Sequence, residues 1–305
     1  MLFSHVINPF VAQPDSEHEF AQRVTWIALE RALDEGRRAG VEVELLAAVY
    51  PADAASVRPS AVALPYLAKC IGDFVPLDRV VPLPLCADVL RLASEHGSGK
   101  YVVFTNMDIC PQPYFYRALA RMIGGRNDAA FVIPRRTIPA RFTSAGQLPE
   151  MLREAGTPHE GFDCFVFPRT WIEKLDLGTL CLGIPGFDLI LILNLEALTE
   201  FRTAVLWNQF LTFHLGDDKS WSGRSELNAH NDGEARAILA RLEQRLGRIP
   251  ARSKFEYIRT WLLREPPPPA PLPRRALRQA QQRFAEWRNR RLVRAFRREL
   301  DIATW

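Results

Sequence analysis

Long hydrophobic runs are missing from this chain of 305 residues, and no apolar stretch reaches the ~20 residues that span a bilayer. One candidate run, Leu189 to Leu193, is held between Asp188 and Asn194. The opening Met1-Leu-Phe-Ser-His-Val lacks a basic segment followed by an apolar one, so no signal peptide is expected. Cysteine is scarce and odd in number. Cys70, Cys86, Cys110, Cys164 and Cys181 are widely spaced in apolar surroundings, which argues against a disulfide framework or a zinc site. They read as free buried thiols of a reducing compartment, and the cytoplasm is the expected location. There is no internal repeat.

A net basic charge is also missing from most of the chain. The net charge is +4, yet residues 274–305 carry ten arginines against Glu286, Glu299 and Asp301, a local balance of +7. The first 273 residues are therefore at −3, so nucleic acid is not an expected partner of the main part. What is present is ordinary globular material. A hydrophobic content of 48% suffices for one large α/β domain with appendages.

The elements alternate. A first strand over Leu2–Ile7 precedes a turn region from Asn8 to Ser16. Ser16, with Glu19 three residues on, opens a helix that runs to about Arg38 and is closed by Gly40. Val41 to Tyr50 forms a second strand. This β-α-β opening favours a parallel sheet. Residues 59–84 are proline-punctuated and irregular. A helix over Asp88–His96, a strand from Tyr101, a helix over Tyr114–Ile123 and a strand over Ala129–Ile133 follow. The alternation then loosens into a short helix over Leu148–Ala155, a strand over Cys164–Phe167 and a helix over Asp188–Leu198. Short strands at Thr203–Trp207 and Leu211–Phe213 precede helices at about Gly233–Leu246 and Ser253–Arg264. The expected organisation is a main domain over 1–232, C-terminal helices packing on it over 233–265, a proline-rich linker at 266–273 and an Arg-rich helical tail at 274–305.

The run Tyr101-Val-Val-Phe-Thr-Asn-Met-Asp-Ile-Cys110 carries the most information. It reads as a buried strand that ends in polar residues before Pro111 and Pro113. Period-two alternation puts Asn106 and Asp108 on one side of the backbone. Two oxygen donors at the carboxyl end of a buried strand suit a hard divalent cation, and ligands of open α/β sheets bind at that end. Taken alone, Asn-x-Asp equally fits a strand ending in a turn. Asn8 and Asp53 follow the first two strands and are candidate donor-binding residues at the same edge. Gly161-Phe-Asp-Cys presents Asp163 at the start of a strand, and Gly183-Ile-Pro-Gly-Phe-Asp188 presents a carboxylate at the start of a helix. Leu211-Thr-Phe-His214 is followed by Asp217, Asp218 and Lys219.

Taken together, these segments resemble a GT-A-fold glycosyltransferase of the nucleotide-diphospho-sugar transferase superfamily. The resemblance covers roughly Leu2 to His230 and is most specific at Phe-Thr-Asn-x-Asp-Ile followed by Pro-Tyr-Phe-Tyr, at Gly161–Phe167 and at Thr212–Trp221. It implies one Rossmann-like α/β domain with a mostly parallel central sheet. It also implies Mn²⁺ or Mg²⁺ as cofactor and a nucleotide-sugar donor. By resemblance, Asn106 and Asp108 occupy the Asp-x-Asp positions, Asp188 that of the catalytic or acceptor-orienting acid, and His214 that of a late metal or diphosphate ligand. Two departures stand out. Asn106 replaces an anionic ligand by a neutral one, and the first strand ends in His5-Val-Ile-Asn-Pro-Phe10 where the family commonly has Pro-Thr-Tyr-Asn.

The expected chemistry is transfer of a sugar to a glycan, lipid-linked or protein acceptor, with inversion preferred because no second carboxylate offers itself as nucleophile. The alternative is a non-catalytic relative that binds a glycan or nucleotide. Beside each functional role stands a plainer one. Asp188 also suits a helix N-cap, His214 a strand-end histidine paired with Asp217 or Asp218, and Asp163 a turn. Arg135 and Arg136 could grip phosphate, although a solvated pair of charges is the simpler expectation. In the tail, Leu277, Ala280, Phe284, Trp287 and Ala295 share a helical side that Arg291 interrupts. That pattern suits either packing on the domain or a subunit, or peripheral attachment to an anionic membrane.

Overall fold

A computed structural model describes residues 2–76, 82–125, 128–159, 161–207, 209–216, 225–251 and 253–264. The linker and tail expected at 266–305, and the candidates Asp217, Asp218 and Lys219, lie outside the described residues. The strands are β1 (Leu2–Ile7), β2 (Glu42–Ala47), β3 (Val62–Ala63), β4 (Tyr101–Thr105), β5 (Cys110–Pro111), β6 (Phe131–Ile133), β7 (Arg136–Ile138), β8 (Thr157–Pro158), β9 (Cys164–Pro168), β10 (Ala204–Val205) and β11 (Thr212–Leu215). The helices are α1 (Glu17–Arg38), α2 (Cys86–His96), α3 (Phe115–Ile123), α4 (Leu148–Arg153), α5 (Phe187–Leu198), α6 (Ser225–Leu246) and α7 (Lys254–Leu262).

The central sheet has the order β10-β6-β9-β4-β1-β2-β3. Its pairings are parallel except those of β9, which runs antiparallel to β4 and β6. The mostly parallel α/β sheet is therefore present, with one reversed strand that alternation alone does not distinguish. A smaller sheet, β5-β11-β7-β8, flanks it.

Side-chain alternation along β4 builds two cores. Val102 and Phe104 face one side with α2, α5, α6 and α7, while Tyr101 and Val103 face the other with α3. Helix α5 is apolar on nearly every side, because it lies between the sheet and α6 and α7. The apolar run Leu189–Leu193 is thus a buried core helix, and among the described residues no helix is long and apolar enough to cross a membrane. The five cysteines are free, and four of them are buried.

Helix α6 begins at Ser225, eight residues before the expected Gly233, so the boundary drawn at 232 falls inside a helix. Asn228, Asn231, Asp232 and Gly233 are poor helix formers, which hides this first half. Tertiary bonds override propensity here. The fully buried Asn231 accepts from the Cys181 amide (3.1 Å) and donates to the carbonyls of Cys181 (3.1 Å), Ile184 (3.2 Å) and Pro185 (3.2 Å). It thereby clamps the turn that leads into α5. Side chains of α6 and α7 belong to the same core as the sheet.

Candidate active site

The carboxyl ends of β4 and β6 meet the start of β9. Thr105 and Ile133 both pair with Cys164, so the residues just beyond them converge on Asp163. Arg135 leaves β6 and reaches Asp163 through Nη1 (2.8 Å to Oδ1), and its backbone N–H donates to Oδ2 at 3.3 Å. The two side chains are 13% and 8% exposed, so this is a buried ion pair. Asp163 is not a turn residue and Arg135 is not a solvated charge. Arg136 is buried as well and turns away from the site. Its guanidinium donates to the carbonyls of Ala155 and Gly156 (2.6 Å to the latter) and lies 5.5 Å from the Phe210 ring centre. It is committed to the backbone and does not offer a phosphate fork.

After Thr105 the chain stops being a strand. The Ile109 N–H donates to the Asn106 carbonyl at 3.2 Å, closing a turn over Asn106–Ile109. Period-two alternation therefore does not orient this triplet. Met107 packs inward among Ile7, Trp26 and Leu29, and Asp108 turns toward β11. The antiparallel ladder from β5 to β11 pairs Cys110 with Phe213, and its next step sets His214 beside the turn. His214 Nε2 lies 3.3 Å from Asp108 Oδ2. Among the described residues the carboxylate beside the histidine is thus Asp108.

This pair is electrostatically polarised. Burial alone raises the Asp108 carboxyl, but the hydrogen bond and charge of His214, with Arg135 behind it, hold it below the usual carboxylate range. Burial lowers His214, yet the Asp108 carboxylate outweighs it and the net shift is upward. His214 Nδ1 stands 2.9 Å from the Gly216 carbonyl and must carry a proton there, so Nε2 is the nitrogen aimed at Asp108. Although 35% of the Asp108 side chain meets solvent, its Oδ1 is buried and, among the described residues, no side chain or neighbouring backbone group bonds to it. A pocket of ≈ 540 Å³, lined among others by Ser16, Phe20, Phe142 and Thr143, adjoins Asp108 and His214.

Asp188 is the second residue of α5, with Gly186 as the N-cap at φ 110°, a conformation that favours glycine. Its Oδ1 accepts from the Gly186 N–H at 3.2 Å. The plainer role is thus partly real, although the cap itself is Gly186. Burial, then the charge of Asp163, raise the Asp188 carboxyl to about 6. Phe187 packs edge-on against Phe104, which ties the start of α5 to β4. Asp108, His214, Arg135, Asp163 and Asp188 thus form one linked electrostatic group.

Asn8 directly follows β1, whereas Asp53 lies in the 3-10 turn Pro51–Ser56, beyond the end of β2 at Ala47. Asn8 donates to the Ala48 carbonyl at 2.6 Å, and Asp53 accepts from the Val11 N–H at 2.8 Å. Both fasten the loop after β1. A buried relay adds to what the sequence motifs single out. His5 contacts the Tyr116 hydroxyl (2.6 Å) and Thr105 Oγ1 (2.9 Å), directly before the Asn106 turn. Burial drops His5 to about 3, so it is neutral. Its only signal in the sequence is a polar residue on the same strand face as Phe3.

Removing Arg135 leaves Asp163 as an unpaired buried charge. Arg135→Ala is expected to cost about 3 kcal/mol of folding stability in urea unfolding. The double variant Arg135→Ala/Asp163→Ala should recover part of that loss, whereas full additivity contradicts the pairing.

The fold defined by these elements is a mixed α/β protein with a mostly parallel central sheet, as the resemblance implied. No protein-family model matches the chain, and neither does any curated protein. Among solved structures, TarS 1–349 of S. aureus in complex with UDP-GlcNAc is similar over 80% of this chain and 73% of its own, with 11% identity and a TM-score of 0.43. The glucosyl-3-phosphoglycerate synthase of Mycobacterium tuberculosis, in complex with Mn²⁺, UDP-glucose and phosphoglyceric acid, is similar over 82% of this chain and 81% of its own. There the identity is 16% and the TM-score 0.43. These likenesses assign no residue of this chain a role.

Proposed function

We propose that the protein transfers a sugar from a nucleotide-sugar donor to an acceptor hydroxyl, with a divalent cation at Asp108. One observation carries this reading: the Asp108–His214 pair at the carboxyl edge of the sheet, with a buried carboxylate oxygen that lacks a partner among the described residues. The donor set fits a hard cation such as Mn²⁺ or Mg²⁺ held by few protein ligands. Among the described residues no cluster of three or more His, Cys, Asp or Glu stands ready to hold a metal. Asp108 and His214 would be two of the ligands, with the neutral Asn106 carried by the same turn, and substrate phosphates would complete the shell. Such a cation supplies charge neutralisation of the leaving diphosphate.

The remaining work falls to the chain itself. Asp188, raised to about 6, takes the proton of the acceptor hydroxyl as it attacks the sugar. Asp163 is engaged by Arg135 and is no free nucleophile, which favours inversion. Asn8 and Asp53 shape the loop over the donor side. A non-catalytic nucleotide- or glycan-binding protein is the rival, favoured by the neutral Asn106. Thermal unfolding with Mn²⁺ and a panel of nucleoside diphosphates separates the two. Stabilisation that requires metal and nucleotide together supports the transferase site, whereas stabilisation by glycan without either supports the binding module.

A further inference from the structure

Helix α7 buries Phe255, Ile258 and Leu262 in the core and thereby turns Tyr257 and Trp261 outward. These two stand one helical turn apart and are 57% and 54% exposed. Of the other exposed aromatics, Trp207 lies against Phe162 and Phe10 against His18, while Tyr66 and Phe74 are exposed on other parts of the surface. The stretch around α7 is also basic. Arg245, Arg248 and Arg264 are exposed, whereas Lys254 is committed to Glu196 and Arg259 to Glu243. Ten arginines follow in residues 274–305, against three acids.

We propose that the Tyr257–Trp261 face of α7 docks on an anionic lipid bilayer, helped by the exposed arginines that flank α7 in the sequence. Tyr and Trp pair an apolar ring with a polar edge and favour the depth of lipid headgroups. Each basic group near an anionic surface strengthens association about fivefold, which also makes binding salt-dependent. Charge complementarity selects this occupant, since residues 1–244 are at −7 and residues 245–305, which include α7, are at +11. An RNA partner would share the charge and could stack on the aromatics, so RNA binding is one outcome of the test. The docking surface is independent of the transferase reading, and either can fail alone.

The test is sedimentation of the full-length protein with phosphatidylcholine vesicles, with and without phosphatidylserine. The parent is expected to bind the anionic vesicles and to leave them at high salt. Tyr257→Ser/Trp261→Ser should bind about tenfold more weakly with an unchanged melting temperature, because both side chains already face solvent. Arg245→Gln/Arg248→Gln/Arg264→Gln is the second variant and should weaken binding even if the serine variant folds poorly. Parent protein that ignores anionic vesicles, or variants that bind as the parent does, overturn the proposal. Loss of self-association in light scattering, or of RNA binding, with no vesicle binding by the parent assigns the face to a second copy or to nucleic acid and overturns it equally.

Discussion

Asp108→Ala is expected to abolish Mn²⁺-dependent binding of nucleoside diphosphates while leaving the protein folded. The carboxylate is the anionic donor of the turn, and its Oδ1 is already buried without a partner among the described residues. Asn106→Ala should weaken binding less, because a neutral oxygen contributes less to holding a dication. Asp108→Ala also leaves His214 without its anion, so the imidazole should fall back toward, or below, its ordinary range. Calorimetry of Mn²⁺ with nucleotide reads the effect directly, and undiminished heat in Asp108→Ala removes the metal assignment.

The second large effect concerns Asp188. Asp188→Asn should lower the rate of sugar transfer by about 10²-fold or more while donor affinity stays near that of the parent. Amide and carboxylate both accept from the Gly186 N–H, so the turn into α5 survives the exchange. The parent rate should rise with pH through about 6 as Asp188 ionises, and the variant should lose that rise. The stability sign runs the other way. An aspartate held above its unfolded value destabilises the fold as pH climbs from the ordinary carboxylate range through about 6. Asp188→Asn should therefore melt higher than the parent near pH 8 and show no such advantage near pH 4. Transfer at the parent rate makes Asp188 only part of the turn.

Much of the frame is legible in the residues, for physical reasons that also explain the gaps. Ser16 caps α1 with its side chain on the Glu19 N–H (3.2 Å), as the spacing indicates. Strand β4, buried on both faces, reads as a near-continuous apolar run, whereas β1 keeps apolar pairs on either side of the buried Ser4 and His5. The reversed direction of β9 is not legible, since a buried strand looks the same in either sense. The site is legible as residue types and not as partners. Asn106–Asp108 stands out, but the turn that orients it depends on Met107 finding a place in the core. Sequence proximity points His214 toward Asp217 or Asp218, which lie outside the described residues, and among the described residues the β5–β11 ladder gives it Asp108 from far along the chain. Arg135 and Asp163 look unrelated in the sequence because only the β6–β9 register joins them. Asn231 is hidden by its poor helix propensity, which its buried bonds override.

The central claim is donor turnover at the Asp108–His214 site. The most direct measurement is incubation of the protein with a panel of nucleotide sugars and Mn²⁺, read by mass spectrometry for release of nucleoside diphosphate. The account predicts release from at least one donor, abolished by metal chelation and by Asp108→Ala. Release that persists in Asp108→Ala, or an intact panel despite metal-dependent nucleotide binding, contradicts it.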